Sequence, residues 1–215
     1  MITNANRLAD AVIYIDGLGH NKKIGAAAVI LVNGMEIQML HYHLSSEMEH
    51  MIYEAEAITV ILALHMLTTL KRKLKKVTIG TDNQVVLMGL WNQRSKPSHY
   101  LLDKIHNMME DFQVMQKQNR GRQVEGYKKG VGRTCLKDGS MGWIEWRLKV
   151  KCKVKYMWTP GYEDIDGNEW ADEAVKAAVS GPSSKPKELP VFLRCKPLLV
   201  SISAIKKFQK KAMKK

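Results

Sequence analysis

Cysteine is nearly absent from this 215-residue chain: Cys135, Cys152 and Cys195 are the only three, far apart and odd in number. No Cys-x-x-Cys pair begins a zinc site, and three isolated thiols make no disulfide framework. Such usage fits a reducing, intracellular setting, nuclear or cytoplasmic rather than secreted. Histidine is missing from the second half, since none of the seven lies beyond His106. No stretch reads as a membrane span, and Met-Ile-Thr-Asn-Ala-Asn-Arg at the N-terminus lacks the apolar core of a signal peptide. The expected partners therefore include no membrane.

Acid is also short relative to base. The net charge is +13 and the pI about 9.6. The imbalance is local. Residues 116–155 carry 12 Lys/Arg against 3 Asp/Glu, and residues 182–215 carry 10 against 1, so the rest of the chain is five charges negative. An acidic body thus wears two basic appendages. Either basic run alone reads equally well as solvated surface or as a surface for a polyanion.

What is present is the material of one α/β domain. Ala11–Ile15 reads as a buried strand ending at Asp16-Gly17, and Ile24–Val32 as a second strand. Asn33-Gly34 is a tight-turn signal that returns the chain as a third strand over Met35–His43, which makes an antiparallel meander. Ile52–Leu70 has no Gly or Pro and is apolar nearly all round, so it predicts a buried helix. Val77–Asp82 predicts a fourth strand, Gln84–Trp91 and Tyr100–Gln116 two helices, Lys153–Trp158 a fifth strand and Glu169–Val179 a last helix. The glycine-rich, charged segment 118–142 reads as a loop or insertion. Gly181–Lys187 reads as a linker, and the basic tail behind it as dispensable for chemistry. The expected architecture is a five-stranded mixed sheet, an antiparallel meander plus parallel strands, flanked by helices. It occupies residues 8–181, with a basic insertion at about 118–150 and a basic tail over 182–215.

Four acids stand out by placement. Asp16 and Asp82 end strands, Asp172 sits early in the last helix, and Glu56 lies on an otherwise apolar helix. Taken singly, each has an ordinary role: a turn, an exposed helix residue, a cap or a first-turn acid. Taken together, they can converge at one edge of the sheet, where four anions repel unless a cation lies between them. Hard oxygen ligands select Mg²⁺ or Mn²⁺. Two such ions roughly 4 Å apart serve in-line phosphoryl displacement.

The local wording around these acids resembles the type 1 ribonuclease H family. Tyr14-Ile-Asp16-Gly17 is similar to its strand-end Asp-Gly, and Tyr53-Glu-Ala-Glu56-Ala to its Ala-Glu-Leu helix, which selects Glu56 over Glu54. Thr81-Asp82-Asn83-Gln84 resembles its strand–helix junction. Trp158-Thr-Pro-Gly161 followed by Gly167-Asn-Glu-Trp-Ala-Asp172 resembles its Gly-Asn-Glu-x-Ala-Asp helix start. The four motifs stand in the family's order over about residues 10–180. Gln93-Arg-Ser-Lys-Pro-Ser and Leu189-Pro-Val-Phe-Leu-Arg194 look like the ribonuclease H end of fungal non-LTR retrotransposon polyproteins. The resemblance implies a ribonuclease H-like fold and a monomeric endonuclease that cuts the RNA strand of an RNA–DNA hybrid, as part of a longer reverse transcriptase polyprotein or a product of one. It implies two Mg²⁺ ions, with Mn²⁺ as substitute, held by Asp16, Glu56, Asp82 and Asp172. Gly17, Asn83, Gln84 and Asn168 would touch the hybrid.

One departure is sharp. The family usually carries His after the Gly of Trp-x-x-Gly, and here the residue is Tyr162. A phenol ionising near pH ~10 replaces an imidazole ionising near ~6.5. That keeps a second reading open: a ribonuclease H-like module that grips nucleic acid with weakened or no turnover. An integrase or proofreading exonuclease of similar sheet, or a purely structural domain, fits the motif order less well.

Overall fold

The computed structural model describes residues 9–70, 72–83, 88, 99–118, 144–146, 152–158, 166–194 and 197–213. Six strands form one mixed sheet: β1 (Ala11–His20), β2 (Lys23–Val32), β3 (Met35–Ser46), β4 (Lys76–Thr81), β5 (Ile144–Trp146) and β6 (Lys153–Trp158). Their order is β3-β2-β1-β4-β6-β5. β1, β2 and β3 form the antiparallel meander, β4 and β6 extend it in parallel, and β5 closes the edge antiparallel to β6. The α/β class is as expected, with one strand more than five. The extra strand comes from the segment read as an insertion; most of that segment lies outside the described residues, but 144–146 belong to the sheet. The helix expected over 84–91 also lies outside them, apart from Met88.

Asn33 and Gly34 supply the left-handed pair that a two-residue hairpin turn needs, with φ of 54° and 78°. Asn21 and Lys22 do the same between β1 and β2, with φ of 49° and 64°. β1 therefore does not stop at Asp16. It runs on to His20, still paired with β2. Gly17 and Gly19 are not turn residues; they let a helix approach. A Cβ on Gly17 would lie 2.8 Å from Cδ of Glu56, and one on Gly19 would lie 3.1 Å from Cγ1 of Ile52.

The alternation of β1 and β2 divides the core. Ile13, Ile15, Ala26, Ala28 and Ile30 face α1 (Ile52–Thr69) and α2 (His99–Gln118), whereas Val12, Tyr14, Ala27 and Val29 face α3 (Asp166–Ser180). α1 is the central helix, packed on β1, β2 and β3 and against α2. By length and composition it is long and apolar enough to cross a membrane, contrary to expectation. Its apolar surface is used inside the domain, where residues such as Ile58, Ile61, Leu62 and Leu64 are fully buried. Each such side chain contributes roughly 1.5–3 kcal/mol of transfer free energy. α3 starts three residues earlier than expected, at Asp166. Gly167 is required there, because a Cβ would sit 2.3 Å from the Tyr14 ring.

The segment read as a linker is a strap. His41 N–H donates to Ser184 Oγ and His43 N–H to Ser183 Oγ, both at 2.9 Å, while Ser184 N–H returns to the His41 carbonyl. Edge strands expose such backbone groups, and this one is covered by the chain itself. The tail continues as α4 (Val191–Arg194) and α5 (Ile202–Ala212), burying Leu189, Leu193, Leu198 and Ala204. Cutting the chain after Gly181 is therefore expected to lower the unfolding free energy by several kcal/mol, at roughly 1.5–3 kcal/mol per large apolar side chain removed. Equilibrium urea unfolding of the truncated and full chains tests this, and equal midpoints would show that the tail only leans on the domain.

Candidate active site

The parallel register sets the geometry. Ala11 pairs with Val77 and Tyr14 with Gly80. Carried two residues further, that register puts Asp16 level with Asp82, one residue past the end of β4. α1 brings Glu56 to this place from one face of the sheet, and α3 brings Asp172 from the other.

Asp16, Glu56 and Asp82 feel their acidic neighbours there, and Asp172 bears on two of them. Asp16 is pushed up to about 6, first by burial, then by Asp82 and Asp172; the Gly17 N–H and Lys176 oppose the shift. Glu56 is pushed up to about 8, mainly by burial; Asn83 opposes this, while Asp16 and Asp82 add to it. Asp82 is exposed on one side, yet its carboxyl is also raised, by the desolvation of its inner side and then by Asp172. Glu56 is the most constrained of the four. Its Oε1 accepts a 2.8 Å hydrogen bond from Asn83 Nδ2, while Oε2 is buried with no partner. Thr59 Oγ1 ties its carbonyl into the helix at 2.7 Å.

Asn83, expected as a hybrid contact, is thus spent at least in part on orienting Glu56, and its own N–H is held by Thr81 Oγ1 at 3.1 Å. Asn168 lies half-buried in the first turn of α3, one helical turn before Asp172. Gly17 lies against Glu56. Gln84 and Tyr162 lie outside the described residues. Two residues to which the sequence motifs assign no role also hold the site. Trp158 Nε1 donates to the Asp82 carbonyl at 3.0 Å, and Lys176 Nζ pairs with Asp172 at 2.5 Å. The available signal for Lys176 is its spacing of four from Asp172, which a helix turns into a neighbour.

Among the described residues, no three acidic, histidine or cysteine side chains are drawn together tightly enough to ligate one ion as they stand. The donor set nevertheless fits a hard divalent cation. It consists of carboxylate oxygens, one is buried without a partner, and their ionisation is opposed by burial and mutual repulsion.

The architecture and this acid-lined strand end define a mixed-sheet α/β protein. Residues 15–125, more than half of the chain, match the reverse transcriptase-like family, and the chain belongs to that family. The matched span contains Asp16, Glu56 and Asp82; Asp172 lies beyond it. Solved structures similar to this chain include RNase H1 of Halobacterium salinarum, at 13% identity and a TM-score of 0.47, over 79% of this chain and 97% of that one. The compost-derived LC11-RNase H1 in complex with an RNA/DNA hybrid is similar at 16% identity and 0.49, over 79% and 96%. An N-terminal RNase H domain from Mycobacterium tuberculosis is similar at 16% identity and 0.45, over 79% and 98%. No curated protein matches the chain.

The raised carboxylates carry a stability consequence. Unfolded, such groups ionise near pH ~4. The folded chain therefore holds protons that the unfolded chain has released between about pH 4 and 8, and each step up in pH across that window favours unfolding. The stabilisation from protonated Glu56 is present at acid pH and lost as pH rises through about 8. Metal-free protein should thus melt progressively earlier from pH 5 to 8 relative to Glu56→Gln, which lacks the titration. Mg²⁺ or Mn²⁺ should raise the melting temperature of the native chain more at pH 8 than at pH 5. Melting curves indifferent to both ions at both pH values would remove the cation from the site.

Proposed function

We propose that this chain is a ribonuclease H, a metal-dependent endonuclease that hydrolyses the RNA strand of RNA–DNA hybrids. The observation that carries the reading is the coupled set of Asp16, Glu56, Asp82 and Asp172 at the end of the β1–β4 pair. Membership of the reverse transcriptase-like family supports it. By resemblance, Asp16 would serve two Mg²⁺ ions, Asp172 one of them, and Glu56 with Asp82 the other. When bound, the ions supply an activated water and neutralise charge on the phosphate and the leaving oxygen.

The chain's own groups do the positioning. Asn83 holds one oxygen of Glu56, which leaves the second aimed for a ligand or for the ribose 2′-hydroxyl, the group that separates RNA from DNA. Trp158 holds the backbone at Asp82, and Lys176 holds Asp172. Gly17, Gln84 and Asn168 complete the proposed contacts to the hybrid. Water oxygen adds to phosphorus as the P–O3′ bond breaks, leaving 5′-phosphate and 3′-hydroxyl ends. The wording of the 93–98 and 189–194 segments supports an origin in a fungal retrotransposon polyprotein, and with it an intracellular place of work.

A second reading, a nucleic-acid-binding module with little turnover, is favoured by Tyr162 and by the Lys176 ammonium already engaging Asp172. One assay separates the two: cleavage of a labelled hybrid with Mg²⁺ or Mn²⁺, against duplex RNA and duplex DNA. Asp82→Asn should cut the rate by more than the ~100-fold typical of losing a mere supporting partner of a metal site, with the fold intact by circular dichroism. Full activity in that variant would exclude Asp82 from the chemistry.

Tyr162 gives a prediction of opposite sign. A positioned proton-exchanging group contributes ~10²–10⁴-fold, and a phenol supplies little of that near neutral pH. Tyr162→His should therefore raise the multiple-turnover rate while leaving the metal requirement unchanged. Equal or lower turnover in the His variant would show that the missing imidazole does not limit this enzyme.

A further inference from the structure

The carboxylates gather just past the end of β4; the beginnings of β4 and of its parallel neighbour β6 carry the opposite charge. Arg72, Lys73, Lys75 and Lys76 are exposed at the entry to β4. Lys153 enters β6 beside Lys76, and Lys117 ends α2 at the same pole. Asp10 also lies in this neighbourhood, and its Oδ2 is engaged by the N–H groups of Lys75 and Lys76 at 2.5 and 3.0 Å.

This is not a loose run of charge. Leu74 is buried, and its N–H donates to Gln116 Oε1 at 3.0 Å. Gln116 is itself fully buried, and its Nε2 donates to the Arg72 carbonyl at 2.9 Å. Lys153 N–H donates to the Lys75 carbonyl at 2.8 Å. A buried amide, a buried leucine, a carboxylate and the neighbouring strand all pin the backbone of 72–76, so its cations are presented from a fixed frame. Part of the ordering entropy that a polyanion would otherwise have to supply is met by the fold.

We propose that Arg72, Lys73, Lys75 and Lys76, flanked by Lys117 and Lys153, form a second docking surface, for the sugar–phosphate backbone of a nucleic acid, at the pole opposite the carboxylates. The chemistry favours a phosphate backbone over an acidic protein. The one apolar side chain of the 72–76 loop, Leu74, points into the core, so among the described residues this loop offers no apolar anchor of the kind that protein interfaces centre on. Backbone contacts need only cations and carry no sequence information. From Lys76 to Asp82 is six residues of extended chain, roughly 20 Å at ~3.3 Å each, so the two poles touch separate segments of a long nucleic acid or two different strands. The platform would hold a template near the chain while the carboxylate pole is free to engage or release. This goes beyond the hydrolytic reading and does not depend on it.

The test uses the full chain and a duplex DNA of about 30 base pairs in EDTA, so nothing is cleaved and the outcome stands whether or not the protein is a nuclease. Lysine acylation with and without saturating duplex should show protection of Lys73, Lys75 and Lys76. The quadruple variant R72Q/K73Q/K75Q/K76Q, checked for an unchanged melting temperature, should bind at least about tenfold more weakly at 0.1 M salt. Its slope of log K against log salt should be shallower by roughly 2–4, at ~0.9 for each phosphate that the variant leaves unneutralised. If that variant misfolds, Lys73→Glu alone gives the same sign on a smaller scale. Unchanged lysine reactivity on saturation with duplex overturns the proposal, as does an unchanged salt slope in a folded variant. Protection by polyglutamate but not by duplex would assign the surface to an acidic protein, and overturns it equally.

Discussion

Carboxylates at the end of a parallel strand pair cannot all ionise without help. β1 and β4 are held in parallel by four register pairs, and β4 then stops while β1 continues. The place where the pairing ends is where Asp16 and Asp82 come level, and burial together with their neighbours raises both. Much nearby follows from accommodating that strand end. Gly17 has no side chain because Glu56 needs the space, and Asn83 reaches 2.8 Å to steady one oxygen of a glutamate whose other oxygen has no partner. Lys176 stands by Asp172 as the one cation pairing with a member of the set among the described residues.

Such an arrangement is destabilising as it stands, which is what makes it informative. A fold that only needed to be stable would place a leucine or alanine at position 56 of so apolar a helix. Burying a carboxylate that cannot ionise freely costs free energy that the α1 core must offset. The neighbouring helix turns from Ala57 to Leu64 are apolar apart from Thr59, and all of them are fully buried. Stability is concentrated next to strain, a pattern that functional sites tend to show.

The acids themselves are legible in the sequence because they sit in short motifs with a period that strands and helices make recognisable. The packing around them is less so. Asp16-Gly17 looks like a strand end, since glycine is a turn signal in one dimension; only the approach of α1 shows that Gly17 and Gly19 are spacers inside a continuing strand. Gly181–Lys187 looks like a linker by composition, yet Ser183 and Ser184 occupy the open edge of β3, a role decided by a strand some 140 residues away. Residues 144–146 join the sheet for the same kind of reason, through pairing with β6 that no local pattern announces. Long-range partners decide edge strands, and a reading along the chain sees only the near ones.

The sheet that gathers acid past the end of β4 gathers base at the start of β4 and β6. β4 enters at Lys76 and leaves towards Asp82, and β6 enters at Lys153 and leaves at Trp158, which holds Asp82 by its carbonyl. The spacing between the poles is therefore set by hydrogen-bonded sheet rather than by a loop. Polarity of this kind has a cost at each pole alone, because like charges crowd together. A single class of partner would relieve it at both, a polyphosphate chain bridged by cations at the acidic end and bound directly at the basic end, as proposed above. The +13 of the whole chain is thus not a diffuse attraction laid over an indifferent fold. Part of it is fixed to the same rigid sheet as the carboxylates, so the proposed resting place of a nucleic acid and the acids that would meet its phosphates share one frame.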